Sequence, residues 1–311
     1  MAPGNKSKPS EFTVQGFADS AQLQLLLFII FLSIYLTIIL SNFTVIVYIV
    51  LDSHLQSPMY ILLCNLSIID ISYTSTILPK LLAMLFTHRR VISYNGCIAQ
   101  LYFFMFFGCT EIILLAVMAY DRYAAICHPL HYYLLMSSKR CAQVASTVWT
   151  VGLLVPITHI ILTSDLTFCF SNQIDHFFCD LTPLLKISCT DTSIIEIWNY
   201  IAGTIVSVNA FFLTLISYMF IISAILNIRS SFGRRKAFST CASHVTCVII
   251  FYGTMICMYL RPTSSHSAGQ DKVFALLYIV LIPLLNPIIY TIKNEDFKNV
   301  FKKINKTVFG P

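Results

Sequence analysis

Met118-Ala119-Tyr120-Asp121-Arg122-Tyr123-Ala124-Ala125-Ile126-Cys127 closes a long apolar run and carries an adjacent acid and base near its end. An apolar helix that finishes on such a pair has its last turn at a membrane surface, where both charges reach water or polar partners. Taken alone, the pair also fits a helix end anchored at headgroup level. The rest of the chain decides.

The chain of 311 residues is 57% hydrophobic and only 11% charged, with a mean hydropathy of +0.77. That leaves too little polar surface to cover a water-soluble globule. About 20 apolar residues cross ~30 Å of hydrocarbon as a helix. Seven stretches are that long, spanning approximately 23–51, 58–86, 94–127, 140–163, 194–228, 236–262 and 272–292. The second and third carry acids, Asp70 and Glu111. Backbone groups in lipid must be bonded internally, so runs of this length predict helices rather than a polar-lumen barrel.

The expected fold is therefore an all-α membrane protein, a seven-helix bundle over 23–292. Residues 1–22 form an outer segment and 293–311 an inner tail. Beyond Arg122, the tail side holds Lys139, Arg140, Arg229, Arg234, Arg235, Lys236 and five tail lysines, against Lys6, Lys8, Arg89, Arg90, Lys186, Arg261 and Lys272 on the other side. The positive-inside rule then puts the carboxyl terminus in the cytoplasm and the amino terminus outside. Topology also accounts for the net charge of +6, with no basic run resembling a nucleic-acid arm. Residues 1–22 lack a signal-peptide pattern, so the first span is expected to do the targeting. Of the Asn-x-Ser/Thr matches, only Asn5-Lys6-Ser7 is placed for a glycan. In the tail, Phe297, Val300, Phe301, Ile304 and Val308 recur at helical spacing with lysines mostly opposite, which predicts a short amphipathic eighth helix on the inner leaflet.

A charge at the bilayer centre costs about 2.5–3.5 kcal/mol on insertion scales, so Asp70 needs a partner or a cation. Glu111 precedes Arg122 by about three turns and shares much of its face. With Asn42, Ser67 and Asn286 as neighbours, the two acids would make an oxygen-rich cage for sodium or a proton. Two protonated, hydrogen-bonded carboxyls account for the same residues. Pro287, after Asn286, removes a helix bond and predicts a kink in the last span.

Several strings together carry a family resemblance: Pro58-Met59-Tyr60 with Asn65-Leu66-Ser67 and Asp70, the 118–127 stretch, Lys236-Ala237-Phe238-Ser239-Thr240-Cys241-Ala242-Ser243-His244, and Pro283-Leu284-Leu285-Asn286-Pro287-Ile288-Ile289-Tyr290. In this order and placement the chain resembles a class II olfactory receptor of the rhodopsin-like G-protein-coupled superfamily. The resemblance implies a receptor without enzymatic activity. It would bind small volatile, mostly apolar molecules, activate a stimulatory olfactory-type heterotrimeric G protein and raise cyclic AMP from the plasma membrane of olfactory cilia. It makes Asp121, Arg122, Tyr123, Tyr218, His244, Asn286, Pro287 and Tyr290 the switch and coupling residues. Many relatives outside the olfactory group hold the helix-three arginine with an acid at the foot of span six. Here Arg234, Arg235 and Lys236 would repel it, so Asp121 is expected to restrain Arg122, with Tyr218 and His244 nearby. No cysteine follows Cys257, so the palmitoyl anchor common elsewhere in the superfamily is missing.

Of eleven cysteines, Cys97, Cys169, Cys179 and Cys189 fall outside the membrane, where oxidation persists. Four cysteines allow three pairings and spacing does not choose among them. The resemblance pairs Cys97 with Cys179 and Cys169 with Cys189, making 164–193 a stapled lid. His176 beside Cys179 suggests a metal site, but an oxidised Cys179 has no thiolate to offer. On span three Phe104, Met105, Gly108 and Cys109 lie outward of Glu111 at the spacing of one helical face, with Gly108 leaving room for a ligand. By resemblance Ala202, Val206, Ser207, Tyr252, Met255, Ile256 and Tyr259 complete the wall. No cofactor is expected apart from a sodium ion. The alternative function is an ion- or proton-conducting transporter using Asp70 and Glu111, which the lack of an evident repeat disfavours. A hydrolase built on His128 and His131 lacks a matching acid.

Overall fold

The computed structural model describes residues 9–17, 20–52, 55–169, 172–259, 268–292 and 297, and the side chains of 236, 239, 240, 243, 256–259, 268, 291 and 292 lie outside that description. Long helices dominate: α1 (Ala21–Leu51), α2 (Pro58–Thr87), α3 (Tyr94–Cys127), α5 (Ser138–Ser164), α7 (Ser193–Leu226) and α8 (Ser231–Tyr259). A short α4 (Tyr132–Leu135) links α3 to α5, and α6 (Leu181–Lys186) sits in the lid. The last helical stretch comprises α9 (Ala268–Leu276), a wider π turn (Leu277–Leu281) and α10 (Ile282–Ile292). Among the described residues six helices are long and apolar enough to cross a membrane, the sixth being Gly269–Tyr290, whereas in α8 the apolar part is the shorter His244–Met255.

Local chemistry fixes the ends. Ser20 and Ser93 accept the Leu23 and Gly96 amides at 3.4 and 3.2 Å, satisfying first-turn donors of α1 and α3. Pro58 starts α2, where no backbone donor is needed. His88 ends it at φ 57°, the left-handed conformation that stops a helix.

The helix α3 is central, packing against α2, α5, α7 and α8. The chain is mostly helical, as expected, and beside the helices lies a small sheet of order β2-β1-β3. Its strands are β1 (Glu11–Val14), β2 (Val91–Ser93) and β3 (Gln173–Ile174). In register, Phe12 faces Ile92 in the antiparallel pair, and Val14 faces Ile174 in the parallel one. Phe12 and Val14 are buried. One alternation over four residues is too short to read as a strand, and its partners lie far away in sequence.

The helix α10 runs through Pro287, and an irregular turn lies earlier, at Leu277–Leu281. Pro287 cannot donate to the carbonyl four residues back, that of Pro283. Asn42 Nδ2 donates to that carbonyl at 3.0 Å. A side chain of α1 thus replaces the missing helix bond. The expected eighth helix and Asn5 lie outside the described residues, apart from Phe297, buried with its ring 5.6 Å from that of Tyr48.

Candidate functional site

Three groups of residues lie along α3. At the lid end, Cys97 is bonded to Cys179 and Cys169 to Cys189, with Cα separations of 5.3 and 5.7 Å. His176, Phe177 and Phe178 are buried, and His176 stacks on Phe177 at 4.7 Å. Burial, helped by the Lys272 cation, lowers the His176 pKa to about 4, so its imidazole is neutral at neutral pH. Lys272 bonds Asp175 at 2.8 Å, joining α9 to the lid. Among the described residues no three or more His, Cys, Asp or Glu side chains are grouped to hold a metal, and Cys179 is oxidised.

Below the lid, the residues of the expected ligand wall divide between two faces. The Phe104 ring meets Phe178 at 4.9 Å and Tyr73 at 5.4 Å, which turns it toward the lid and α2. One turn on, a Cβ on Gly108 would meet the Tyr278 hydroxyl at 3.4 Å and the Tyr73 ring at 3.9 Å. Gly108 thus faces Tyr73 of α2 and Tyr278 of the π turn, where a Cβ would make ordinary contact. Met105 and Cys109, next around the helix, are half-buried. Ala202, Val206 and Ser207 are the half-buried positions of a largely exposed stretch of α7, and Met255 is half-buried on α8. Tyr252 is buried on α8, 5.3 Å from the Phe211 ring. The side chains of Ile256 and Tyr259 lie outside the described residues.

At the centre, Asn286 Nδ2 donates to both Asp70 oxygens at 3.1 Å. The Tyr278 hydroxyl donates to Glu111 Oε2 at 3.5 Å, while buried Glu111 Oε1 has no hydrogen-bond partner among the described residues. Ser67 is buried nearby in sequence, but Asn42 is committed to the Ile38 and Pro283 carbonyls rather than to an acid. The expected cage thus contains Asp70, Glu111, Asn286 and Tyr278. Sequence spacing missed Tyr278, because a π turn moves a side chain off the face that a regular helix predicts.

At the other end, Arg122 Nε donates to Asp121 Oδ2 at 3.1 Å, and the other Asp121 oxygen accepts from the Tyr132 hydroxyl at 2.8 Å. Asp121 is buried, so both partners offset the desolvation of its charge. Burial, with Asp121 beside it, raises the Tyr132 pKa and keeps that hydroxyl a donor. Tyr132 escaped the sequence reading because the chain reverses at Pro129, which ends any helical periodicity from α3. The Tyr218 hydroxyl pairs with His244 Nδ1 at 2.5 Å, tying α7 to α8. Both side chains lie within electrostatic reach of Arg122, and the Tyr290 ring is 6.4 Å from that of His244. Tyr123 bonds His128 at 3.0 Å, which leaves that histidine a loop-capping contact.

Comparison with known proteins agrees with this layout. A family model described as olfactory receptor matches residues 31–307. Mouse olfactory receptor 8U9 is 46% identical over 304 residues, covering 98% of this chain and 97% of the relative. Mouse olfactory receptor 5AR1 is also 46% identical, covering 98% of each chain, and human olfactory receptor 1M1 is 42% identical, covering 98% and 97%. With matches of that extent, the chain belongs to the olfactory receptor family, odorant-sensing G-protein-coupled receptors that are not enzymes.

Proposed function

We propose that the chain crosses the plasma membrane of olfactory cilia seven times, amino terminus outside, with an amphipathic eighth helix on the inner leaflet. It binds a small, mostly apolar volatile molecule beneath the lid and activates a stimulatory G protein, raising cyclic AMP. The observation that carries this reading is the course of α3, which meets the lid through Cys97 and Phe104 and ends on the Asp121-Arg122 pair. A ligand shifts the bundle only by its difference in affinity between two states, and a helix touching both ends transmits such a difference. Phe104, Met105, Cys109, Ala202, Val206, Ser207, Tyr252, Met255, Ile256 and Tyr259 form the wall, with Gly108 setting its depth.

The wall offers hydroxyls and no carboxylate, which suits alcohols, aldehydes, ketones or esters over amines. Cells expressing the chain, read by cyclic AMP, should respond to members of a broad panel of such compounds. A panel whose only agonists are charged amines would refute the pocket. Ion conduction through Asp70 and Glu111 is not favoured, since Asn286 and Tyr278 already engage these acids.

Asp70 and Glu111 are proposed to hold sodium or share a proton when the bundle is inactive, with Asn286 and Tyr278 as the supporting groups. Agonist potency should then depend on sodium or pH, and the dependence should vanish in Asp70→Asn and Glu111→Gln. Gly108→Leu should disturb the same site from the side, because its side chain would displace Tyr278 from Glu111. Half-effective concentrations for all agonists should change at least severalfold in that variant. If all three variants keep wild-type potency and dependence, the acids are buried structural groups.

A further inference from the structure

Gln100 lies one turn beyond Cys97 on α3 and is 6% exposed. Its two amide atoms serve two different elements. Gln100 Oε1 accepts the Cys179 backbone amide at 2.9 Å, and Nε2 donates to the Thr76 carbonyl of α2 at 3.0 Å. A disulfide fixes the distance between its backbones but leaves rotation about its side-chain bonds. The amide bond from Gln100 to the same residue removes that freedom. The Thr76 carbonyl belongs to the turn around Pro79, the proline inside α2. A proline in a helix loosens the carbonyls of the preceding turn, which then take donors from neighbours. At the same level the Tyr35 hydroxyl meets Ser75 Oγ at 3.1 Å from α1.

We infer that Gln100 is a positioning residue that locks the lid to α2 and α3 and sets the height of Phe178 over Phe104. Phe178 precedes Cys179, so the Cys179 amide orientation fixes where the Phe178 ring stands. That ring is 4.9 Å from Phe104, a residue of the proposed ligand wall. The consequence for ligands rests on the proposed function, but the lock does not.

The test therefore uses no ligand. Gln100→Met keeps the shape and removes both bonds, whereas Gln100→Glu can imitate the glutamine only when its carboxyl is protonated and able to donate to Thr76. Hydrogen exchange would be followed on the purified full chain in lipid discs, with the Cys97–Cys179 bridge checked by mass mapping. In Gln100→Met the lid peptide around Phe178–Leu181 should exchange about tenfold faster than in wild type, the effect of losing roughly one to two net hydrogen bonds. In Gln100→Glu the lid should match wild type at pH 5 and exchange faster than wild type at pH 8, yet slower than the Met variant, because the carboxylate still accepts the Cys179 amide but repels the Thr76 carbonyl. His176, Asp175, Asp180 and Lys272 also face the lid, so each variant is compared with wild type at the same pH. Wild-type exchange in Gln100→Met with the bridge intact would overturn the inference. Should that variant not fold, a Gln100→Glu lid whose exchange relative to wild type is the same at both pH values would overturn it as well.

Discussion

Arg122→Ala is expected to abolish the cyclic AMP response while surface expression and agonist occupancy stay near wild type. The guanidinium is held by one acid, Asp121, whose other oxygen is taken by Tyr132. Opposite it, Tyr218 and His244 bond to each other rather than to Arg122, so no α7 or α8 side chain among the described residues anchors it by hydrogen bond. The arginine is thus tethered on its own helix and free to change partners when α8 moves. Removing it takes the cation from buried Asp121, which keeps its bond to Tyr132, so surface expression is measured beside the response. The cost falls on the active state, where the proposed G-protein contact needs a cation at the end of α3. A full response in a well-expressed Arg122→Ala receptor would make the pair a surface anchor only. Tyr132→Phe sharpens the same argument: loss of one hydrogen bond to a buried carboxylate, about 1.5–3 kcal/mol, should raise basal signalling rather than abolish it.

What the sequence made legible follows from period and composition. The expected span 94–127 coincides with α3, since an apolar run bounded by Ser93 and the His128-Pro129 pair has its ends marked chemically. The span placed at 236–262 begins instead at Ser231, because its first turns are polar and carry no hydropathy signal. Asp70 and Asn286 could be read as neighbours because both are polar groups in apolar spans that need partners, although their pairing joins α2 to α10 across most of the chain. Tyr278, Tyr132 and Gln100 were not legible. Each acts after a break in regularity, at a π turn, a proline loop or a proline turn on the partner helix, where helical spacing no longer predicts direction. Asn42 was expected beside the two acids, but its acceptor, Pro283, becomes evident only once Pro287 is seen to lie one turn after that carbonyl.

Close packing was the least legible feature of all, and Gly152 tests it most sharply. A Cβ on Gly152 of α5 would stand 2.0 Å from Thr110 Oγ1, 3.1 Å from Thr110 Cβ and 3.3 Å from the Phe106 carbonyl of α3. Thr110 is fully buried and its hydroxyl donates to Phe106 O at 2.7 Å, so the hydroxyl cannot turn away without losing that bond. Helices in lipid associate by such close approach at small residues, having no hydrophobic drive of their own. Helix propensity alone says that Gly152→Ala should gain about 1 kcal/mol. Overpacking says that it should lose about 1–3 kcal/mol, with α3 and α5 pushed apart. The clash involves backbone as well as side-chain atoms, so packing should win, and the thermal midpoint and surface expression of Gly152→Ala should both fall. Adding Thr110→Ala removes the nearest atom but leaves the Cβ contact, and should recover part of the loss. A Gly152→Ala receptor as stable as wild type, or a double variant no better than the single one, would mean that α3 and α5 are not in contact at this level.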